Sequence, residues 1–483
     1  MKAICLHIFF LLSVVTTGKV FAQQQPNFIF FIMDDVGWND LGCYGGTNVK
    51  TPHIDRLAAT GMKFTNAYLS TSSCSPSRNS IITGRYPHNT GAPELHDPLP
   101  RGMDMFPQRL KDAGYYTALS GKNHMGQAVR AAFDTISSGK GPGGQEDWIG
   151  LLRNRPKDQP FFFWLASHDA HRDWQFNSHG QKIDPAGIKV PPMLFDGPET
   201  RKDLAGYFYE ISRIDYFTGL LMKELEDQHL LHNTYFILMS DNGRPFPRSK
   251  ARLYDSGIKT PFIILGPGIK GIQNALISAI DIAPTILEIA GVSPSEKIQG
   301  KSFYSLLANK KKKTRDFVFA EHNWHVFQAY ERMVRFGDWM YIFNGYPERK
   351  NLSAESASYY PAGTELWQAH KKGLTVPQQQ DVFLQPRPSE ELYYLPNDPN
   401  QFHNVAASPK NKKILAYLRK ALEDWVQQTG DSKPENPTPD RMDENGNELK
   451  GWEKRERPGE KFNAKFINHP GPVIQKDVKV ARR

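Results

Sequence analysis

Long apolar runs, each followed directly by polar side chains, most constrain the fold of this chain. Three of them are Asn27–Met33, Phe161–Ala166 and Thr234–Ser240, and a fourth, shorter run covers residues 261–265. Because these runs are apolar at nearly every position and do not alternate, they predict strands buried on both faces, which is typical of parallel sheets. Helical patterns lie between them, at residues 52–60, 106–113, 203–228 and 277–291. Alternating strands and helices predict an α/β fold with a large, mostly parallel sheet.

The polar residues that follow these runs predict a ligand-binding edge. The first run ends at Asp34-Asp35, the second at Ser167-His168-Asp169, and the third at Asp241-Asn242. In open α/β sheets, ligands bind beyond the carboxyl ends of the strands. Adjacent carboxylates are costly without a cation, and a set of oxygen ligands suits calcium. For an isolated Asp pair, the alternative interpretation is a helix N-cap.

The pattern changes near residue 310. Strand patterns cover residues 316–321 and 333–344, with a turn at Gly337-Asp338, and a helical pattern covers residues 409–428. We therefore predict a catalytic domain over residues 23–311 and an α+β subdomain over residues 312–430. Residues 431–483 are rich in proline, glycine and charge without periodicity, which predicts an extended polar tail over the surface.

The first 22 residues have the pattern of a secretory signal peptide. Lys2 precedes an apolar run over residues 4–15, and Val20-Phe21-Ala22 offers small residues at a cleavage site. The run is too short to span a membrane, which needs roughly 20 apolar residues, so we expect no stable membrane insertion. The mature chain then has two cysteines, Cys43 and Cys74, whose pairing is possible. Secretion to a bacterial periplasm fits best, with a lysosomal or extracellular location as alternatives.

The most specific motif surrounds Cys74. Cys74-Ser75-Pro76-Ser77-Arg78 is followed by Thr83-Gly84-Arg85. One interpretation is a structural cysteine ahead of a helix with proline in its first turn. However, the motif resembles the sulfatase signature, in which a cysteine followed by x-Pro-x-Arg is oxidised to formylglycine. The resemblance extends over residues 26–430 and is closest to the heparan N-sulfatase (sulfamidase) branch. It implies an alkaline-phosphatase-like sandwich with a small C-terminal α+β subdomain.

The resemblance also implies the chemistry. Cys74 would be converted to formylglycine by a maturation enzyme, and the hydrated aldehyde would present two hydroxyls on one carbon. One hydroxyl attacks sulfur, and the other expels sulfate by restoring the aldehyde. Arg78, one helical turn further on, would hold the hydrate. A calcium ion would be bound by a set of residues that resembles the family's ligands: Asp34, Asp35, Cys74, Asp241 and Asn242.

Further motifs imply roles around the sulfuryl group. Gly121-Lys122-Asn123-His124-Met125-Gly126 resembles the family's Gly-Lys-x-His-x-Gly, so Lys122 would bind sulfate and His124 would handle the proton of the hydrate. His168 is assigned the general acid, because imidazole titrates near neutrality. Lys250 is assigned a second contact to sulfate, with Arg248 and Arg252 as competitors. The residues expected to bind the sugar are His96, His171, Glu321 and His325.

The net charge and two loops bear on the class of substrate. The formal net charge of +9 indicates an anionic partner, and no nucleic-acid-binding signature accompanies it. We therefore expect a sulfated glycan or sugar and no nucleic acid. N-sulfated glucosamine and O-sulfated hexoses both remain open, and the loops at residues 91–97 and 321–325 favour exo action in a closed pocket. The alternatives are a phosphoryl hydrolase of the same superfold and an inactive sulfated-glycan-binding protein.

Overall fold

The computed structural model describes residues 25–308 and 312–462, so the predicted signal peptide and the last part of the tail lie outside the described residues. Within these ranges the strands are β1 (Asn27–Met33), β2 (Met62–Phe64), β3 (Ala67–Tyr68), β4 (Tyr116–Gly121), β5 (Thr135–Ser137), β6 (Phe161–Ala166), β7 (Thr234–Ser240), β8 (Phe262–Leu265), β9 (Gly271–Gln273), β10 (Ile277–Ser278), β11 (Phe317–His322), β12 (Glu331–Phe336), β13 (Trp339–Asn344) and β14 (Glu390–Tyr394). The helices are α1 (Pro52–Thr60), α2 (Cys74–Thr83), α3 (Phe106–Asp112), α4 (Trp148–Asn154), α5 (Pro198–Asp227), α6 (Asp255–Ile258), α7 (Ile282–Ile289), α8 (Tyr304–Ala308), α9 (Pro361–Lys371) and α10 (Lys412–Thr429).

The large sheet has eight strands in the order β5-β4-β6-β1-β7-β8-β2-β9. Strands β5, β4, β6, β1 and β7 are parallel, whereas β8 runs antiparallel to both of its neighbours. The predicted mostly parallel sheet is confirmed, but the expectation that residues 261–265 form a parallel-type strand is wrong. The reason is the connection from β7, which holds only the four-residue α6 and no crossover helix, so the chain re-enters the sheet from the same edge.

Helices cover both faces of this sheet, which explains why its central strands are apolar throughout. Alternate residues of β1 enter two separate cores: Phe28, Phe30 and Ile32 pack on one face, and Ile29, Phe31 and Met33 on the other. Helices α2, α3 and α7 contribute to the first core, and α1, α4 and α5 to the second. A strand between two cores cannot alternate apolar and polar side chains.

A second, antiparallel sheet forms the C-terminal subdomain, in the order β11-β12-β13-β14. Strands β12 and β13 form a hairpin on either side of the predicted turn at Gly337-Asp338. Helix α10 packs on this sheet through residues such as Leu418 and Trp425, which share a core with Val334. The predicted small α+β subdomain is therefore confirmed as an architecture.

One further local prediction differs from the structure. The pattern at residues 277–291 begins as strand β10, which pairs with β3, and becomes α-helical only at Ile282. The Asp281 carboxylate accepts a hydrogen bond from the Ser278 backbone (2.9 Å), which stabilises the turn between strand and helix. The described part of the tail, residues 431–462, has no α-helix or strand, yet it is anchored by buried residues such as Asp431 and Thr438. No helix among the described residues has the length and apolarity needed to cross a membrane.

Candidate functional site

Two neighbouring strands bring four oxygen-bearing side chains together. Asp34 and Asp35 follow β1, and Asp241 and Asn242 follow β7, which pairs with β1 in register to its last residue. The Asp35 backbone N–H donates to the Asp241 carboxylate (3.2 Å), and all four residues are buried. The carboxyl edge of the parallel strands therefore carries a concentrated set of oxygens, in the region that ligands occupy in such sheets.

Cys74 begins helix α2 beside this set. Its Sγ lies 3.7 Å from Asp35 Oδ1, and its side chain, together with the carboxylates of Asp34 and Asp241, offers ligand atoms within 4.8 Å of one another. Cys43 and Cys74 are both free, so the possible pairing between them is not formed. Burial raises the pKa of the Cys74 thiol. A protonated thiol is a poor nucleophile, so unmodified Cys74 is not activated for attack.

Three cations neutralise the three carboxylates. Lys122 pairs with Asp34, Lys250 Nζ lies 2.7 Å from Asp35 Oδ2, and Arg78 contacts Asp241 at 2.8 Å and lies 3.7 Å from Asp34 Oδ1.

Arg78 also donates to the backbone carbonyl of Lys122 (2.8 Å), which links α2 to the loop after β4. Lys122 is in turn fixed by its backbone N–H, which donates to the Ala166 carbonyl (3.0 Å) at the end of β6. The cluster is neutral as a whole, which allows six charged groups to be buried together.

The pKa values of the three carboxylates shift in different directions. Burial raises the pKa of Asp34 and of Asp35, but nearby cations together outweigh it: Lys122, His171 and Arg78 at Asp34, and Lys250, His171 and Lys122 at Asp35. Both pKa values therefore lie below the ordinary value. The pKa of Asp241 is raised, because burial and the nearby charge of Asp34 together outweigh Arg78. Asp34 and Asp35 are therefore held ionised at neutral pH.

The donor set fits a hard divalent cation. Asp34 Oδ1 and Asn242 Oδ1 are buried and have no hydrogen-bond partner. Unpaired buried oxygens are costly unless another group satisfies them. Three carboxylates and one amide oxygen are the ligand types that calcium prefers.

Two histidines follow β6, and they occupy different positions. His171 is half-buried, and its pKa is lowered by burial and then by Lys250 and Lys122, while Asp35 and Asp34 oppose this. It therefore lies within electrostatic reach of all four charged groups. His168 is exposed, and its Nε2 lies 3.2 Å from the Ser138 carbonyl. Both line a cavity of about 960 Å³ together with Asp34, Lys122 and His124.

His124 and His96 meet at another wall of this cavity. His96 Nδ1 lies 2.8 Å from His124 Nε2, and the His96 backbone N–H donates to Ser75 Oγ (2.8 Å). Burial, followed by Lys122, lowers the pKa of His124, so its ring is neutral at neutral pH. His96 (φ 67°), His124 (φ 56°) and Asp35 (φ 60°) all have left-handed backbones. Such conformations are uncommon for residues other than glycine and concentrate at functional sites.

Of the remaining predicted sugar-binding residues, the structure brings only one near the cluster. His325 Nδ1 lies 2.7 Å from Ser73 Oγ, next to Cys74. Glu321 is fully buried, with both carboxylate oxygens 2.7 Å from nitrogens of His88. Strand β11 extends through Glu321, which pairs with Arg332 of β12, so it is a strand residue and not part of a loop facing the cavity.

The sequence analysis missed one acidic residue at the site. Glu355 Oε1 lies 3.9 Å from Lys250 Nζ, and its other oxygen is buried without a hydrogen-bond partner. No local pattern marks this residue, because it lies in an irregular segment between β13 and α9, far from Lys250 in sequence.

The fold is of the alkaline-phosphatase-like class, and Cys74 lies at a helix N-terminus beside the acidic residues that follow the parallel strands β1 and β7. Within this class, the chain belongs to the sulfatase family and is a sulfuric ester hydrolase. The family profile named Sulfatase matches residues 26–141 and 145–292, and the profile named N-sulphoglucosamine sulphohydrolase, C-terminal, matches residues 248–337.

Individual relatives agree with this assignment. An ulvan-active sulfatase of Formosa agariphila is 31% identical over 86% of this chain and 82% of its own length. The N-sulphoglucosamine sulphohydrolase of Homo sapiens is 28% identical over 85% of this chain and 91% of its own length. Among solved structures, a protein in complex with its substrate D-glucosamine-2-N,6-O-disulfate has a TM-score of 0.65 at 20% identity, covering 84% of this chain and 98% of that one. A 2-O GAG sulfatase has a TM-score of 0.62 at 21% identity, covering 84% and 92%.

Proposed function

We propose that this protein is a calcium- and formylglycine-dependent sulfatase that hydrolyses a sulfate ester or sulfamate on a glycan-derived sugar. The observation that carries the proposal is the position of Cys74, whose Sγ lies 3.7 Å from Asp35 within a cluster of three carboxylates and three cations. The raised pKa of its thiol makes it unsuited to act as a thiolate and favours a role after oxidation.

In this proposal, calcium is held by Asp34, Asp35, Asp241, Asn242 and the modified side chain of Cys74. Bound there, it would supply Lewis-acid stabilisation of negative charge on the sulfuryl oxygens and on the nucleophilic hydroxyl. The unpaired oxygens of Asp34 and Asn242 support this assignment. With the carboxylates neutralised by a divalent cation, the ammonium groups of Lys122 and Lys250 become available to bind an anionic sulfuryl group.

The remaining steps are assigned to residues of the chain itself. The formylglycine hydrate at position 74 would supply the attacking oxygen, with Arg78 beside it to stabilise the negative charge. His124, held neutral by burial, accepts the proton of the hydrate. We assign to His171 the donation of a proton to the leaving oxygen or nitrogen. His171 interacts electrostatically with Asp34 and Asp35, whereas the exposed ring of His168 contacts the Ser138 carbonyl.

We propose sulfated sugars as substrates, with exo action. The relatives are named for ulvan and for N-sulphoglucosamine, so O-sulfated hexoses and N-sulfoglucosamine are both candidates. The volume of the cavity, about 960 Å³, supports binding of a short terminal part of a glycan. His96 and His325 are the proposed sugar contacts among the residues selected from sequence, and the formal net charge of +9 suits an anionic polymer.

We propose export of the chain as well. Residues 1–22 would act as a signal peptide, the destination would be a bacterial periplasm, and a maturation enzyme would oxidise Cys74. The proposed division of the mature chain is a catalytic domain over residues 23–311, a subdomain over residues 312–430, and a tail.

The test is sulfate release by matured, calcium-loaded protein from N-sulfoglucosamine, 6-O-sulfated N-acetylglucosamine, O-sulfated galactose-type sugars and 4-nitrophenyl sulfate. We expect release that Cys74→Ala abolishes while the circular dichroism spectrum is retained, and we expect mass spectrometry to detect formylglycine at position 74. Faster release of phosphate from 4-nitrophenyl phosphate would support the phosphoryl-hydrolase alternative. Absence of any release from protein with converted Cys74 would contradict the proposal and favour a binding protein.

A further inference from the structure

Glu355 is a second carboxylate near Lys250, in addition to the predicted metal ligand Asp35. Lys250 Nζ contacts Asp35 Oδ2 at 2.7 Å and lies 3.9 Å from Glu355 Oε1. The side chain of Glu355 is only 5% exposed. A buried carboxylate at this position places negative charge directly beside a proposed sulfate-binding cation.

The second oxygen of Glu355 has no hydrogen-bond donor. Glu355 Oε2 is buried and unpaired, and the contact of Oε1 to Lys250 is longer than a hydrogen bond. Leaving a charged acceptor unsatisfied in this way is costly, and natural structures do so mainly where a ligand completes the hydrogen bonding. In the proposed function, the ammonium group of Lys250 binds the sulfuryl group, and the sugar next to it can supply the donor that Glu355 Oε2 lacks.

The neighbours of Glu355 connect it to the cavity. Tyr360, from the same segment, packs its ring on the Arg172 guanidinium (4.6 Å), and Arg172 lines the cavity beside His171. The pKa of Tyr360 is raised to about 12 by burial and then by Glu355, while Lys250 and Arg172 oppose it. Glu355, Tyr360 and Lys250 therefore act on one another electrostatically, and Tyr360 contacts a residue of the cavity wall.

We infer that Glu355 determines specificity by accepting a hydrogen bond from a hydroxyl or ammonium group of the sugar, next to the sulfuryl group that Lys250 binds. This inference rests on the proposed function. A donor at that position completes the hydrogen bonding of Glu355 Oε2. A second sulfate or a carboxylate there is repelled by the buried negative charge, so the substrate class is a sugar with a neutral or cationic donor adjacent to the cleaved group.

The test compares Glu355→Gln with Glu348→Gln, an exposed glutamate of the same segment that serves as a matched control. For each variant, kcat/KM is measured on the best sugar sulfate of the panel and on 4-nitrophenyl sulfate, which carries no neighbouring donor. Because a hydrogen bond to a charged acceptor is strong, we expect Glu355→Gln to lower kcat/KM about 10- to 100-fold more for the sugar sulfate than for the aryl ester. Glu348→Gln should behave as wild type on both.

A sugar analogue in which hydrogen replaces the adjacent hydroxyl or amino group tests the same contact in the wild-type protein, independently of whether the variant folds. We expect a loss similar to that of Glu355→Gln, and no further loss when the analogue and the variant are combined. Equal losses of Glu355→Gln on sugar and aryl ester would overturn the inference, since Glu355 would then act only through Lys250. Turnover of the aryl ester without any panel sugar would also overturn it, whereas absence of turnover on all substrates by matured wild type would overturn the proposed function itself.

Discussion

His168 and His171 differ by three positions in sequence, yet their surroundings assign them different tasks. His171 lies in the electrostatic field of Asp34, Asp35, Lys122 and Lys250, whereas the exposed ring of His168 is directed at the Ser138 carbonyl. A general acid must reach the leaving group, and it matters most when that group is a poor one. His171 is therefore the better candidate, although the sequence analysis assigned this role to His168.

We expect His171→Gln to lower kcat on a sugar sulfate by about 100-fold or more, and to lower it less on 4-nitrophenyl sulfate, whose phenolate leaves without a proton. For His168→Gln, measured in parallel on both substrates, the fall in kcat on the sugar sulfate should be much smaller. The reverse order of losses would return the assignment to His168.

The four oxygen-bearing residues at the strand ends predict a calcium-dependent stability. Chelation of wild-type protein should lower its thermal unfolding midpoint, and calcium should restore it, because a ligand at 100 times its Kd stabilises the folded state by about 2.7 kcal/mol. Asp241→Asn should lose this calcium response in differential scanning fluorimetry. Asp227→Asn is the control, since Asp227 lies at the end of α5 in an exposed pair with Lys223 (2.7 Å). A calcium response that persists in Asp241→Asn would contradict the assigned ligands.

At the scale of elements, helix α2 shows how a short motif positions a reactive residue. All ten residues of α2 are buried, with Cys74 at its start and Arg78 one turn later. The helix ends at Gly84, whose φ of 65° gives a left-handed cap, and whose backbone N–H bonds back to carbonyls of the last turn. The Thr-Gly-Arg end of the motif is thus a helix stop that is required by geometry.

Gly84→Ala and Gly291→Ala form a matched pair for this cap. Both glycines have positive φ, but a Cβ at Gly84 would lie 3.1 Å from carbons of Ala283 and Ile298, whereas at Gly291 it would meet no atom within 4 Å. Both changes destabilise the folded protein by about 1–2 kcal/mol, because alanine disfavours the left-handed backbone. Only Gly84→Ala adds a destabilisation of about 1–3 kcal/mol from crowding. We expect a clearly larger fall in the thermal unfolding midpoint for Gly84→Ala. Equal falls would show that the packing around Gly84 relaxes without cost.

At the scale of the whole molecule, the described part of the tail connects three loops around the cavity. Lys454 contacts Glu94 (3.1 Å) and Arg457 contacts Asp97 (2.9 Å), on the loop that carries His96.

Two further contacts of the tail involve the C-terminal subdomain. Trp452 stacks on Trp324 (5.7 Å), one residue before His325. The Ser358 backbone N–H donates to the Glu444 carbonyl (2.8 Å), in the segment that carries Glu355. Residues far apart in sequence are thereby held at one site.

Lys454→Ala combined with Arg457→Ala should therefore loosen the loop that carries His96. We expect KM for the sugar sulfate to rise several-fold, because rim residues that fix a binding loop contribute mainly to substrate binding. The change in kcat should be smaller. Lys461→Ala is the control, as its pair with Glu435 lies on the exposed surface. Unchanged kinetics in the double variant would show that the loop holds its conformation without the tail.

Local sequence patterns were sufficient to predict the central strands and the place of the oxygen-rich site. Apolar runs without alternation predict central strands, and the polar residues after β1 and β7 predict an oxygen-rich site because parallel neighbours end at one edge. The motif at Cys74 predicts the reactive position because its residues lie within one helix, where spacing determines geometry.

Tertiary structure alone decided the rest. The direction of β8, the different surroundings of His171 and His168, the burial of Glu321 against His88 and the approach of Glu355 to Lys250 depend on contacts between segments distant in sequence. Hydrophobic periodicity reports which face of an element is buried, but not which charged group from another loop will meet it there. For that reason the sequence by itself determined the sheet and the helix that begins at Cys74, and packing determined which charged side chains surround the start of that helix.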